Sequence, residues 1–244
     1  MSPMSPQSTV QSPQLGTQRV FFLVNGIMNF PGCSDNWNGK GVTNIMCPPQ
    51  SADKAEKIEY FCSIIGRAFG QKGRANKLFK TMLFYRDASY ERIAVGHSNG
   101  ADVILTMMRD YRDWPDIHHL HLVCGAANAN FEKNGLNHWL AEGRVKRVTV
   151  YVAGKDLALR LAHTWLGRLL HYGVLGLEGP TNVHNEFLTN GRVSTVWEDP
   201  WTEYGHSGCW EGRHFERTMA LFTGEHRTPN PEHPTSKVQA SARR

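Results

Sequence analysis

The sequence predicts an α/β domain with a mostly parallel sheet, and three observations lead there. Short apolar runs alternate with longer amphipathic ones between residues 19 and 224, the pattern of successive βαβ units. The pentapeptide Gly96-His97-Ser98-Asn99-Gly100 falls between one such run and a helical stretch. The length of 244 residues fits one domain of this class with polar ends.

Taken in order, residues 1 to 18 are rich in Ser, Pro and Gln and bury too little apolar surface to offset the entropy of ordering them, so a flexible leader is expected. The run 19–25 (RVFFLVN) reads as a first strand ending at Gly26. Residues 51 to 69 read as a helix, with Ala55, Ile58, Phe61, Cys62, Ile65 and Phe69 at helical intervals, and Lys80 to Tyr85 as a second strand. Arg92 to Gly96 (RIAVG) is a third strand. Val103, Leu105, Met107, Met108 and Tyr111 then restore helical spacing. His119 to Gly125 and Lys146 to Ala153 are further strands, with a helix over Phe131 to Glu142 between them. Leu157 to Tyr172 reads as a helix, Arg192 to Trp197 as the last strand and Gly212 to Phe222 as a closing helix. A second flexible tail is expected over residues 225 to 244, with Pro229, Pro231 and Pro234.

Hydrophobic residues make up 40% of the chain and charged ones 20%, which suits a packed core. The net charge is +5 and the pI about 9.0, but Lys and Arg are dispersed and no basic run interleaves aromatics, so nucleic acid is not an expected partner. Five cysteines without CxxC spacing suggest reduced thiols rather than zinc or a disulfide framework. The N-terminus lacks a charged start followed by an apolar run, and no stretch approaches the length that spans a bilayer. The expectation is a cytoplasmic protein without integral membrane contact.

A serine hydroxyl needs a base within hydrogen-bond reach and a third group to orient that base. In Gly96-His97-Ser98-Asn99-Gly100 the glycines permit a tight strand-to-helix turn that lifts Ser98 over the sheet edge. The bland alternative is that Ser98 only caps a helix. Asp156 follows the strand KRVTVYVA and is the candidate acid, since parallel strands present their C-terminal ends on one side. It could instead merely cap the next helix, in which case Asp199 is the substitute. Among twelve histidines His206 is the candidate base, in a Gly-flanked polar loop between the last strand and the last helix, with His184 and His214 as alternatives. Oxyanion donors are expected from the amide of Asn99 and from the loop after the first strand, where Gly26 is followed by Ile27 and Met28. His119 and His121 share a strand face beside His118, but the spacing supplies no third metal ligand, so no metal is expected. Trp197, Trp201 and Trp210 are candidates either for a pocket near His206 or for ordinary packing.

On these residues the chain resembles the α/β-hydrolase superfamily. The pentapeptide at Ser98 looks like its nucleophile elbow, and Asp156 and His206 match the acid and base in their usual order. The resemblance covers roughly residues 19 to 223 and implies a three-layer α/β/α sandwich. It also implies a triad that works without a cofactor, and ester, thioester or amide substrates. Two departures stand out. Asn25-Gly26 ends the first strand where many members carry His-Gly, and only residues 126 to 145 lie where many relatives insert a lid. The expected function is a serine hydrolase cleaving a small-molecule carboxylic ester through an acyl-enzyme. An amidase or thioesterase would use the same residues, and a non-catalytic ligand-binding protein would keep the fold without turnover.

Overall fold

The computed structural model describes residues 17–26, 42–43, 46–58, 60, 66–162, 173–197, 206 and 212–224. Six strands form one sheet: β1 (Gln18–Val24), β2 (Lys54–Ile58), β3 (Tyr90–His97), β4 (His119–Val123), β5 (Val148–Val152) and β6 (Val193–Trp197). Their spatial order is β2-β1-β3-β4-β5-β6 and every neighbouring pair is parallel. The expected mostly parallel sheet is therefore present. All six strands end on the same edge, where a parallel α/β sheet gathers its functional loops.

Strand alternation splits the core in two. Val20, Phe22 and Val24 of β1 point to one face, under α1 (Gly66–Leu83) and α2 (Asn99–Asp110). Phe21 and Leu23 point to the other, where Met219 and Phe222 of the closing helix pack with Val42 and Met46. A strand buried on both sides reads as a continuous apolar run, which is why RVFFLVN was legible. The result is three layers, helix, sheet and helix. Between β4 and β5 lie only the short helices α3 (Phe131–Asn134) and α4 (Leu136–Ala141), so no inserted lid separates them. After β5 come α5 (Leu157–Ala162), α6 (Leu175–Glu178) and α7 (Asn185–Thr189), and α8 (Gly212–Thr223) closes the order.

Three sequence expectations are corrected. The helix expected over 51–69 is instead strand β2 at Lys54–Ile58, with helix α1 starting only at Gly66. The strand expected over Lys80–Tyr85 is the last turn of that helix and its exit, and the buried Ala75, Leu78 and Met82 mark the helical face. The helix expected over Phe131–Glu142 breaks at Gly135, whose φ of 87° is left-handed and which ends α3 and starts α4. β1 also begins at Gln18, one residue inside the expected leader. The leader's residues 1–16, the tail 225–244 and most of the 157–172 helix past Ala162 lie outside the described residues.

Candidate active site

The β3–α2 junction is shaped by what glycine lacks. A Cβ on Gly96 would stand 2.7 Å from the backbone nitrogen of Ala101, and one on Gly100 would stand 2.1 Å from the carbonyl oxygen of Val24. Both contacts are with backbone, which cannot yield, so the tight turn requires glycine on both sides of Ser98. Ser98 takes φ 53° and ψ −120°. Such a conformation is costly for a residue with a side chain and persists only where its surroundings impose it. They do: the Ser98 amide donates to the Val123 carbonyl at 2.9 Å, and the Ser98 carbonyl accepts from Ala126 at 2.9 Å. Although Ser98 sits at the N-cap of α2, its side chain makes no capping bond, so the helix-cap alternative does not describe it. Gly26, two residues past β1, lies close against Ser98: a Cβ there would be 2.9 Å from Cβ and 3.3 Å from Oγ of Ser98.

Asp156 is fully buried at the end of β5 and uses both carboxylate oxygens. Oδ1 accepts from the Leu159 amide at 2.9 Å, capping α5, and Oδ2 lies 2.6 Å from Nδ1 of His206. Capping a helix and holding a histidine were alternatives in the sequence and coexist here, one oxygen each. A carboxylate can only accept, so the bond puts the proton of a neutral His206 on Nδ1 and leaves Nε2 as the basic nitrogen. The hydrogen bonds of the described residues join His206 to Asp156 and to His97, and none joins it to the Ser98 hydroxyl. Catalytic bonds of this kind commonly tighten only with substrate bound.

His97 is a residue the sequence reading passed over. Its Nε2 is 2.9 Å from the His206 carbonyl, which can only accept, so His97 donates. The two rings lie 5.0 Å apart. Burial first, and the neighbouring His206 second, push the His97 imidazole down to about 3, so it is a neutral strut between the elbow and the His206 loop. Its only sequence signal was a place in the pentapeptide. Tyr60 carried no sequence signal, and Asn25 stood out only where many α/β-hydrolases carry His-Gly. The Tyr60 hydroxyl donates to the Asn25 carbonyl at 2.5 Å and accepts from Asn99 Nδ2 at 3.2 Å.

The other candidates fall elsewhere. His184 bonds Glu132 at 2.5 Å and stacks on Phe187, in a partly exposed pair apart from Asp156. The side chain of His214, and Ile27, Met28, Asp199, Trp201 and Trp210, lie outside the described residues. Trp197 ends β6 and is 48% exposed, with its ring against Gly179. Segment 173–176 is laced to the loop after β4: Gly173, Leu175 and Gly176 donate to the carbonyls of Ala126, Ala127 and Gly125. His119 and His121 do share a face, with rings 3.8 Å apart, and no group of three metal-binding side chains occurs among the described residues.

A parallel sheet carrying a strained serine turn after β3, a carboxylate after β5 and a histidine after β6 defines the architecture. The chain has an α/β-hydrolase fold. No family model matches the sequence and no curated protein matches it. Among solved structures the chain is similar to "RedJ with PEG molecule bound in the active site", at 10% identity over 92% of this chain and 96% of that one, with a TM-score of 0.44. It is also similar to the Bacillus licheniformis lipase BlEst2 in mature form, at 11% identity over 88% and 96%, with a TM-score of 0.42. A third likeness is to phospholipase PlaB from Legionella pneumophila in complex with thio-NAD, at 14% identity over 77% of this chain and 41% of that one, with a TM-score of 0.32. Within this α/β-hydrolase fold no described helix is long and apolar enough to cross a membrane.

Proposed function

We propose that this chain is a serine hydrolase that cleaves carboxylic esters through an acyl-enzyme. The observation that carries the reading is the 2.6 Å bond between His206 Nδ1 and the buried Asp156, with the His206 carbonyl tied at 2.9 Å to His97, the residue before Ser98. A buried carboxylate with one oxygen turned to a histidine orients that ring and stabilises the imidazolium that forms when it takes a proton.

In this reading Ser98 Oγ attacks the ester carbonyl carbon while Nε2 of His206 takes the hydroxyl proton. The tetrahedral oxyanion is held by the amide of Asn99 and by an amide of the segment Gly26, Ile27 or Met28. The carbon–oxygen bond to the alcohol breaks, His206 returns the proton to the departing alcohol, and water repeats the sequence to release the acid. Neither a metal nor a cofactor enters these steps.

The test is a fluorophosphonate label mapped by mass spectrometry, run beside hydrolysis of short p-nitrophenyl esters. The expected result is a single adduct on Ser98 and a fall of at least about 10⁴-fold in kcat for Ser98→Ala. A folded protein whose Ser98 stays unlabelled under excess probe overturns the reading.

A further inference from the structure

The two segments assigned to the oxyanion leave the adjacent strands β1 and β3, and one tyrosine that follows the edge strand β2 bonds to both. In register, Val24 of β1 pairs with Ile58 of β2 and with Gly96 of β3. Asn25 therefore emerges between the two neighbouring strand ends, with Tyr60 two residues past Ile58 and Asn99 three past Gly96. The Tyr60 hydroxyl spans the gap: it gives its one proton to the Asn25 carbonyl at 2.5 Å and so must accept from Asn99 Nδ2 at 3.2 Å. This commits the Asn99 carboxamide to one orientation, with Oδ1 turned away, buried and without a hydrogen-bond partner. Asn99 is fully buried and Asn25 is 1% exposed. The Asn25 carboxamide adds longer contacts, Nδ2 lying 3.3 Å from the Gly26 carbonyl and 3.5 Å from that of Tyr60. Arg74 stands over the Tyr60 ring at 5.1 Å, which holds the ring in place from α1.

We infer that Tyr60 is a positioning residue for the oxyanion site, an inference that rests on the serine-hydrolase reading above. The β3 turn fixes Ser98 and packs Gly100 against the Val24 carbonyl, and the Tyr60 hydroxyl adds a hydrogen-bonded tie between the Asn99 side chain and the Asn25 carbonyl next to Gly26. That tie holds the spacing of the two donor segments against fluctuation. Since the oxyanion exists only during the reaction, the spacing of its donors bears on kcat and not on the binding of the neutral ester.

The experiment compares wild type, Tyr60→Phe, Asn99→Ala and the double variant with p-nitrophenyl acetate and with a trifluoromethyl ketone, whose hemiketal oxygen mimics the oxyanion. Tyr60→Phe is expected to lower kcat about tenfold, less than removal of a donor itself, with KM held within about twofold. Ketone affinity should fall in parallel with kcat. Asn99→Ala cuts the same bridge from the other side and should give the same signature, with the double variant little worse than either single one. Unchanged kcat in Tyr60→Phe, or kcat and KM moving together with a lost melting transition, overturns the positioning role. If wild type neither turns over ester nor labels at Ser98, the hydrolase reading has failed and this inference falls with it. A labelled, active wild type with a silent Tyr60→Phe sinks the inference alone.

Discussion

Two groups of histidines share this sheet and differ in what faces them. At the strand ends His206 meets a buried carboxylate, Asp156, at 2.6 Å. At the start and in the middle of β4, His119 and His121 meet hydroxyls: His119 Nε2 lies 2.8 Å from Thr149, which continues to Ser194 at 3.0 Å, and His121 Nδ1 lies 2.9 Å from Tyr151. His121 has its ring against Phe222 of α8, and its Nε2 is buried without a hydrogen-bond partner. A carboxylate stabilises the imidazolium, whereas a hydroxyl supports either protonation state weakly and burial then decides for the neutral one. Burial pushes His119 down to about 4, helped by Arg147, and holds His121 well below its ordinary value. Location decides as well, because the C-terminal strand ends, not the starts where His119 stands, gather the functional loops.

Exchanging the partner of the first group should have the largest effect. Asp156→Asn keeps the shape and can still cap α5 through its carbonyl oxygen, but it removes the charge and favours the wrong His206 tautomer. A fall in kcat of about 10⁴-fold is expected, with the melting temperature changed little. A loss under tenfold would mean that His206 does not depend on Asp156, and the contrast between the two groups would collapse.

The second group should answer in stability instead. His121→Ala opens a cavity beside Phe222 and removes the Tyr151 contact, offset in part because an unpaired buried nitrogen goes with it. The net loss is expected to be roughly 2 kcal/mol in urea denaturation. The value of kcat per labelled Ser98 should match wild type. A variant of native stability with kcat down more than tenfold would bring β4 into the reaction.

The same contrast explains what was legible in the sequence. The site's frame was readable because its local signals agree: RIAVG is buried on both faces, the glycines at 96 and 100 meet backbone, and each candidate follows a strand. Strand β2 was not, because an edge strand needs no apolar run. KAEKI buries only Ile58 fully, and its Lys, Ala and Glu are good helix formers. The end of α1 misled in the opposite sense. KTMLFY is rich in residues that suit strands, while Gly70 and Gly73 inside α1 weaken the helical pattern before it. The partners of the site were hidden for another reason: Tyr60 and His97 act through contacts between elements distant in sequence, which periodicity does not report. The role of Asp156 was split in the sequence between cap and acid because a residue letter does not show that a carboxylate has two oxygens to assign.

The smallest expected effect is a pH slope shared by His97, His119 and His121, all held below the ordinary histidine value near 6.5 by burial. Above pH 6.5 folded and unfolded chains both carry these rings neutral, so their contribution is whole. As pH falls below 6.5 the unfolded chain takes up protons while the folded one does not until about 4 at His119 and about 3 at His97, so stability declines across that window. Carboxylates held low by their partners, Asp53 by Arg19 and the exposed Glu132 by His184, lose their contribution only further down, as pH drops below about 4.5, which leaves the interval from 6.5 to 5 to the histidines. Urea midpoints at pH 7, 6 and 5 should therefore fall steadily, and His121→Ala should show a shallower fall than wild type because it has one buried ring fewer to keep neutral. Equal slopes in the two proteins would mean that the β4 pair is protonated, or hydrated, as easily in the folded chain as in the unfolded one, and that burial does not set its charge.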